Sequence, residues 1–246
     1  MYEPRAYRHW VKDGDLVSFN VVVKETDLYI RARTNLKRKA LKLVLKYRDT
    51  LERYIERHPS FLTSLEPVTI GDDAPPLVSE MAESARKVGI GPMASVAGAI
   101  AEFVGSQLLA FSPEIIVENG GDIYLKSSGK RLIGIYAGKS PLTGKIGLEI
   151  NGQDTPLGIC TSSGTVGHSL SYGKADAVMV VSKSAALADA AATAIGNLIA
   201  QPKDIPSGIE FAHGIDGLKG MIIIKDDKMG LWGEVKICQM SIEEIV

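Results

Sequence analysis

At 246 residues, 45% apolar and 23% charged, the chain is long and apolar enough for a substantial core, which excludes a disordered segment or a small disulfide-stapled scaffold. Twenty-eight Lys and Arg against 29 Asp and Glu leave a net charge of −1, and no apolar run approaches the roughly 18 to 20 residues that span a membrane. Residues 1–15 mix charges of both signs without an apolar stretch, so a cytoplasmic protein with Cys160 and Cys238 both reduced is expected.

In chain order, the β-rich runs Val17 to Val23 and Tyr29 to Arg33 predict a hairpin. Next comes a helix over about Leu36 to Arg57, stopped before Pro59, with an apolar stripe of Ala40, Leu41, Val44, Leu45, Tyr47, Leu51, Tyr54 and Ile55. Residues 31–58 hold ten Lys or Arg against three acids; we read this cationic surface as a solvated helix face rather than a nucleic-acid surface. After a connection from Pro67 to Pro76, helices are predicted over Leu77 to Val88 and Pro92 to Phe111, on either side of Gly89-Ile90-Gly91. Gly89 to Ala94 spells GxGxxA, but it follows a helical pattern where a dinucleotide turn needs a strand, so that reading is set aside.

Strands Glu114 to Glu118 and Asp122 to Lys126 then flank Asn119-Gly120-Gly121. From Arg131 the order starts again: a hairpin of Leu132 to Ala137 and Lys145 to Ile150, a strand Ala177 to Ser182, a helix Ser184 to Ala200, and a closing hairpin of Leu218 to Lys225 and Leu231 to Ile237. Hairpins outnumber βαβ alternation, so an α+β fold with mostly antiparallel sheets is expected, one compact domain of two related halves, about 1–128 and 129–246.

Three segments carry candidate chemistry. In Glu118-Asn119-Gly120-Gly121-Asp122 the paired glycines let backbone amides approach a ligand, although a plain hairpin turn has the same sequence. The loop from Cys160 through Thr161, Ser162, Ser163 and Gly164 to His168 is rich in hydroxyls that suit phosphate or ribose. His168 beside Cys160 would make a nucleophilic or sulfur-carrying thiolate, and a flexible loop after a packed cysteine is the bland alternative. In the alanine-rich helix, Asp189 and Thr193 stand one turn apart on one face, hard oxygen donors of the kind that bind Mg2+.

In order and spacing, Glu118-Asn119-Gly120-Gly121-Asp122, Thr161-Ser162-Ser163-Gly164 and Ala188-Asp189-Ala190-Ala191-Ala192-Thr193-Ala194 together resemble the ApbE superfamily, which contains the FAD:protein FMN transferases. Ser95-Val96-Ala97-Gly98-Ala99 stands where the family has a Gly-Ile-Ala-Lys-Gly-like stretch, and Val166 to Gly173 replaces its His-x-x-Asp-Pro-x-Thr-Gly segment, as in a separate short branch. The resemblance implies a duplicated T-fold-like architecture. It also implies Mg2+ on Asp189, Thr193 and a carbonyl near Ala97, with FAD or FMN held by the two glycine loops as ligand or substrate. Under it, His168 or Asp176 would accept a proton from an attacking hydroxyl, an acceptor protein would receive FMN, and a homodimer is expected by analogy. A thiol-dependent sulfur factor built on Cys160, and a flavin- or nucleotide-binding module without turnover, are the alternative functions.

Overall fold

Side chains alternate across a strand, so a strand buried on both faces must feed two separate cores. The computed structural model, which describes residues 16–165 and 173–240, is built on that division. Eight strands form one antiparallel sheet: β1 (Val17–Val23), β2 (Thr26–Ala32), β3 (Ile115–Asn119), β4 (Asp122–Lys126), β7 (Leu157–Ser162), β8 (Ala177–Ser182), β9 (Leu218–Lys225) and β10 (Lys228–Gly233), in that spatial order. Ile115, Val117, Val178, Val180, Met221 and Ile223 point to one face, where the helices pack. Ile116, Ala177, Met179, Val181, Ile222 and Ile224 point to the other. That second face is covered by a three-stranded sheet of β5 (Arg131–Gly134), β6 (Ile146–Ile150) and β11 (Lys236–Gln239). The molecule is therefore α+β with antiparallel sheets: helices, large sheet, small sheet.

The helical layer contains α1 (Lys37–Arg57), the short α2 (Ser60–Thr63), α3 (Pro76–Val88), α4 (Val96–Leu108), α5 (Ala185–Leu198) and α6 (Ile205–His213). Gly89 ends α3 in the left-handed conformation at φ 73°, which glycine adopts without a Cβ clash, and Pro92 opens a 3-10 turn leading into α4. The turn read between two helices at 89–91 is thus present. α5 is buried nearly all round; its alanines let it lie between β7 and β8 on one side and α3, α4 and α6 on the others. A Cβ at Gly158 would meet the Cα of Ala185 at 2.2 Å, and Ser162 lies beside Gly196, so α5 runs alongside β7 in the same direction.

Three sequence expectations are corrected, those for β7, the closing hairpin and α1. Cys160, Thr161 and Ser162 do not lie in a loop: they form the second half of β7, a central strand paired with β4 and β8. Hydroxyl-rich composition masked a strand whose neighbours supply the burial. The hairpin read near 132–150 is present, and with β11 it forms the small sheet that caps the second core. The closing hairpin turns at Asp226-Asp227, with Asp226 at φ 54°, and its second strand ends at Gly233. On α1, Ala40, Val44, Tyr47, Leu51 and Tyr54 are buried, whereas Leu41 and Leu45 are exposed, because they fall on a flank turned away from the sheet's centre.

Candidate functional site

Four elements deliver their ends or middles to one place. β3 and β4 are joined by Gly120 and Gly121, at φ 69° and 107°, the two positive angles that a two-residue hairpin turn of this hand requires. Glu118 Oε1 accepts from the Gly121 amide at 2.7 Å and pins that turn. Asp122, first residue of β4, is buried, and its Oδ1 accepts from the Thr161 amide of β7 at 3.2 Å. Asn119, the last residue of β3, donates from Nδ2 to the Ala97 carbonyl at 3.1 Å, tying the turn to the start of α4.

Asp189 completes the group from α5. Its side chain is buried, and Oδ2 accepts from the Gly98 amide at 2.9 Å, with a further bond from the Ala97 amide. These amides are among the first of α4, which lack partners within the helix and carry the positive end of its dipole. The reverse arrangement holds at the other helix. Glu102 of α4 accepts from the Ala185 amide at 2.6 Å, at the start of α5, beside Ser184, whose hydroxyl donates to Glu80 at 2.7 Å. Two antiparallel helices thus cap each other with a carboxylate apiece. Their approach is close enough that a Cβ on Gly98 would stand 2.2 Å from the Ala185 carbonyl oxygen.

Electrostatics make this an unsettled place for negative charge. Burial lifts the Asp189 carboxyl to about 7, against the opposing pull of the Gly98 and Ala97 amides. Asp122 is pushed well up by burial and then by the charge of Asp189, with the Thr161 amide and Cys160 thiol pulling the other way. The Cys160 thiol is also driven well up, by burial first and then by Asp122 and Asp189. It donates to the Ala185 carbonyl at 3.3 Å. Two carboxyls and a thiol share a space that a proton or a cation stabilises.

The structure therefore brings Ala97, Glu118, Asn119, Gly120, Gly121, Asp122, Cys160, Thr161 and Asp189 together. Thr193 is half-buried one turn along α5 from Asp189. Ser162 lies where β7 meets the end of α5, and Ser163 with Gly164 leads away from the strand: the Gly164 amide donates to the Ala175 carbonyl at 2.9 Å and Ser163 Oγ accepts from the Thr165 amide at 3.1 Å. Asp176 is engaged elsewhere. Its carboxylate accepts from the Asp226 amide at 2.6 Å and from the Thr165 hydroxyl at 3.2 Å, with the Lys225 ammonium 3.6 Å away, on the wall of a cleft of about 360 Å3 beside the β9–β10 turn. His168 lies outside the described residues. Sequence reasoning missed Gly98 and Glu102. The signal was available: Ala97-Gly98-Ala99 is a small-residue run facing another, and Glu102 is a lone carboxylate in an apolar helix, like Asp189.

This arrangement of antiparallel sheets and a helical layer is the fold of the ApbE flavin transferases. The flavinyl transferase ApbE of Pseudomonas stutzeri superposes with a TM-score of 0.58 over 94% of this chain and 96% of that one, at 14% identity. The ApbE protein of Thermotoga maritima does so at 0.56 over 89% and 97%, at 13% identity. Within that fold the chain belongs to the family described as AbpE bacteria, whose model matches residues 8–208. It is 44% identical over 221 residues to a UPF0280 protein of Methanocaldococcus jannaschii, covering 87% of this chain and 90% of that one. A UPF0280 protein of Methanopyrus kandleri is 42% identical over 225 residues, 89% and 91% of the two chains.

Proposed function

We propose that this chain binds a flavin nucleotide, FAD or FMN, or a related diphosphate, together with Mg2+, at the junction of the α4 start, the Gly120-Gly121 turn and Asp189. One observation carries the reading: the buried Asp122 and Asp189 carboxyls meet in a single site that also presents helix-start amides and a glycine turn. A diphosphate alone would add charge to a place that already disfavours it; a divalent cation removes that conflict. The donors suit Mg2+: the Asp189 carboxylate, the Ala97 carbonyl and the Thr193 hydroxyl are hard oxygens, and few carboxylates are needed where phosphate supplies the rest. Mg2+ bound there would neutralise charge developing on the phosphate during FMN transfer to an acceptor protein or hydrolysis of the diphosphate. Among this chain's own groups, Gly120 and Gly121 allow backbone to approach the ligand, while Glu118 and Asn119 hold the turn in place.

Fold likeness to flavin transferases supports the ligand class, and the family shared with UPF0280 proteins is compatible with it. A sulfur-carrying role for Cys160 is disfavoured, because the thiol is fully buried and flanked by two carboxyls that favour its protonated form. The test is equilibrium binding of FAD and FMN with Mg2+ and with EDTA, for the wild type, Asp189→Asn and Thr193→Ala. Affinity that depends on Mg2+ and falls at least tenfold in both variants is the expected outcome. Binding indifferent to EDTA and to both substitutions would refute the proposal, and AMP release from FAD separates an enzyme from a passive binder.

A further inference from the structure

Two side chains from different elements hold the start of α4. Asp189 of α5 takes the Ala97 and Gly98 amides, and Asn119 of β3 takes the Ala97 carbonyl, its Nδ2 donating at 3.1 Å. Ala97 is the second residue of α4, so its carbonyl also accepts from the amide four residues on, that of Ala101. A carbonyl oxygen has two lone pairs, and here both are used. Chemistry fixes which way the Asn119 amide points: turned over, it would set its own oxygen 3.1 Å from that of Ala97 with no proton between them.

The Ala97 carbonyl is also one of the three oxygens proposed to hold Mg2+, with the Asp189 carboxylate and the Thr193 hydroxyl. A carboxylate has about four acceptor sites, so Asp189 can bond two amides and still face an ion. The Ala97 oxygen has no site left, and a divalent ion arriving there meets the positive N–H of the Asn119 amide. That side chain can leave without disturbing its strand. The Asn119 backbone is fixed between Leu28 of β2 and Asp122 of β4, whereas its amide makes no second bond among the described residues. Beside it there is room, since a Cβ built on Gly120 would meet nothing within 4 Å.

We propose, on the basis of Mg2+ and diphosphate binding at this site, that Asn119 is its latch: the amide holds the Ala97 carbonyl until a divalent ion displaces it and frees it for the diphosphate. The exchange trades a neutral hydrogen bond for an ion–oxygen contact. It leaves Asn119 Nδ2 without its acceptor next to Gly120 and Gly121, where the backbone is open to a ligand. A phosphate oxygen is the acceptor that satisfies it. Ion and diphosphate then favour the same released side chain, so each strengthens binding of the other by a route separate from charge neutralisation, and by the same factor in both directions. Toward the ion alone Asn119 is a competitor; toward the diphosphate it is a binding group.

The sign of the Mg2+ response separates a latch from a residue that only supports the turn. Calorimetric titration without nucleotide should find Mg2+ bound about three- to tenfold more tightly by Asn119→Ala than by the wild type, as expected when one neutral hydrogen bond no longer has to be broken. A supporting role gives the reverse. The factor by which Mg2+ raises affinity for ADP, a flavin-free diphosphate probe, should fall at least threefold in the same variant. On the wild type itself, which needs no folded variant, the Asn119 side-chain amide resonances should move with Mg2+ and saturate with it. Equal or weaker Mg2+ binding by a folded Asn119→Ala, or Asn119 resonances unmoved at saturating Mg2+, overturns the latch and leaves Mg2+ at Asp189 standing. Mg2+ binding that is absent from the wild type, or unaffected by Asp189→Asn, overturns the proposed function and the latch with it.

Discussion

Asp189 has two structural jobs, and they pull against each other. As an acceptor for the Gly98 and Ala97 amides it anchors the start of α4; as a buried carboxyl beside Asp122 it resists ionisation, with its pKa raised to about 7. An unfolded aspartate releases its proton near 3.9. Between those values the unfolded chain has lost a proton that the folded chain keeps, so the metal-free protein loses stability as pH rises from about 4 to about 7, by at most about 4 kcal/mol. Urea unfolding across that range should show the decline, and Asp189→Asn should flatten it. Under the proposed function, Mg2+ with nucleotide should restore the loss above pH 7. Glu114 works in the opposite sense. Burial alone would raise its carboxyl, but Ser127, the Ser128 amide, Arg131 and Arg33 hold it well below the usual range, so its contribution is complete above about pH 4 and disappears as pH falls further. Glu114→Ala leaves Arg131 buried without its carboxylate and should cost about 3–5 kcal/mol by denaturant unfolding.

At the scale of elements, α4 and α5 behave as one unit. Each supplies the carboxylate that caps the other, and Gly98 sets the separation at which both caps reach. Gly98→Ala would drive a methyl group into the Ala185 carbonyl and the Asp189 Cβ, 2.2 and 2.8 Å away, and force the helices apart. The expected cost is about 1–3 kcal/mol in unfolding free energy. If the Asp189 position is what holds Mg2+, the same variant should weaken Mg2+-dependent flavin binding more than Glu102→Gln does, because Gly98 packs directly on Asp189 whereas Glu102 bonds the Ala185 amide. Calorimetric titration of the two variants checks that ranking.

Across the whole molecule, two cores share one sheet. The helix-side core contains the candidate site, and the small-sheet core stiffens the opposite face through Ile133, Ile135, Leu148 and their neighbours. β7 belongs to both: Cys160 faces the helices while Ile159 faces the small sheet.

Much of this was legible before folding. The predicted positions of β1, α1, α3 and the Gly120-Gly121 turn agree with the structure to within a few residues at their ends, because hydrophobic period, proline and paired glycines act locally. The three site motifs were visible as composition, and Asp189 stood out as one carboxylate among alanines. Three things were decided only in the tertiary structure. β7 is a strand because β4 and β8 enclose it, whatever its hydroxyl content suggests; the 131–150 hairpin joins the smaller sheet; and Asp122, Asp189 and Cys160 meet. Local sequence sets which conformations are cheap, but burial, the mutual charge of two carboxyls and the exchange of caps between helices arise only when segments 39 to 91 residues apart are brought into contact.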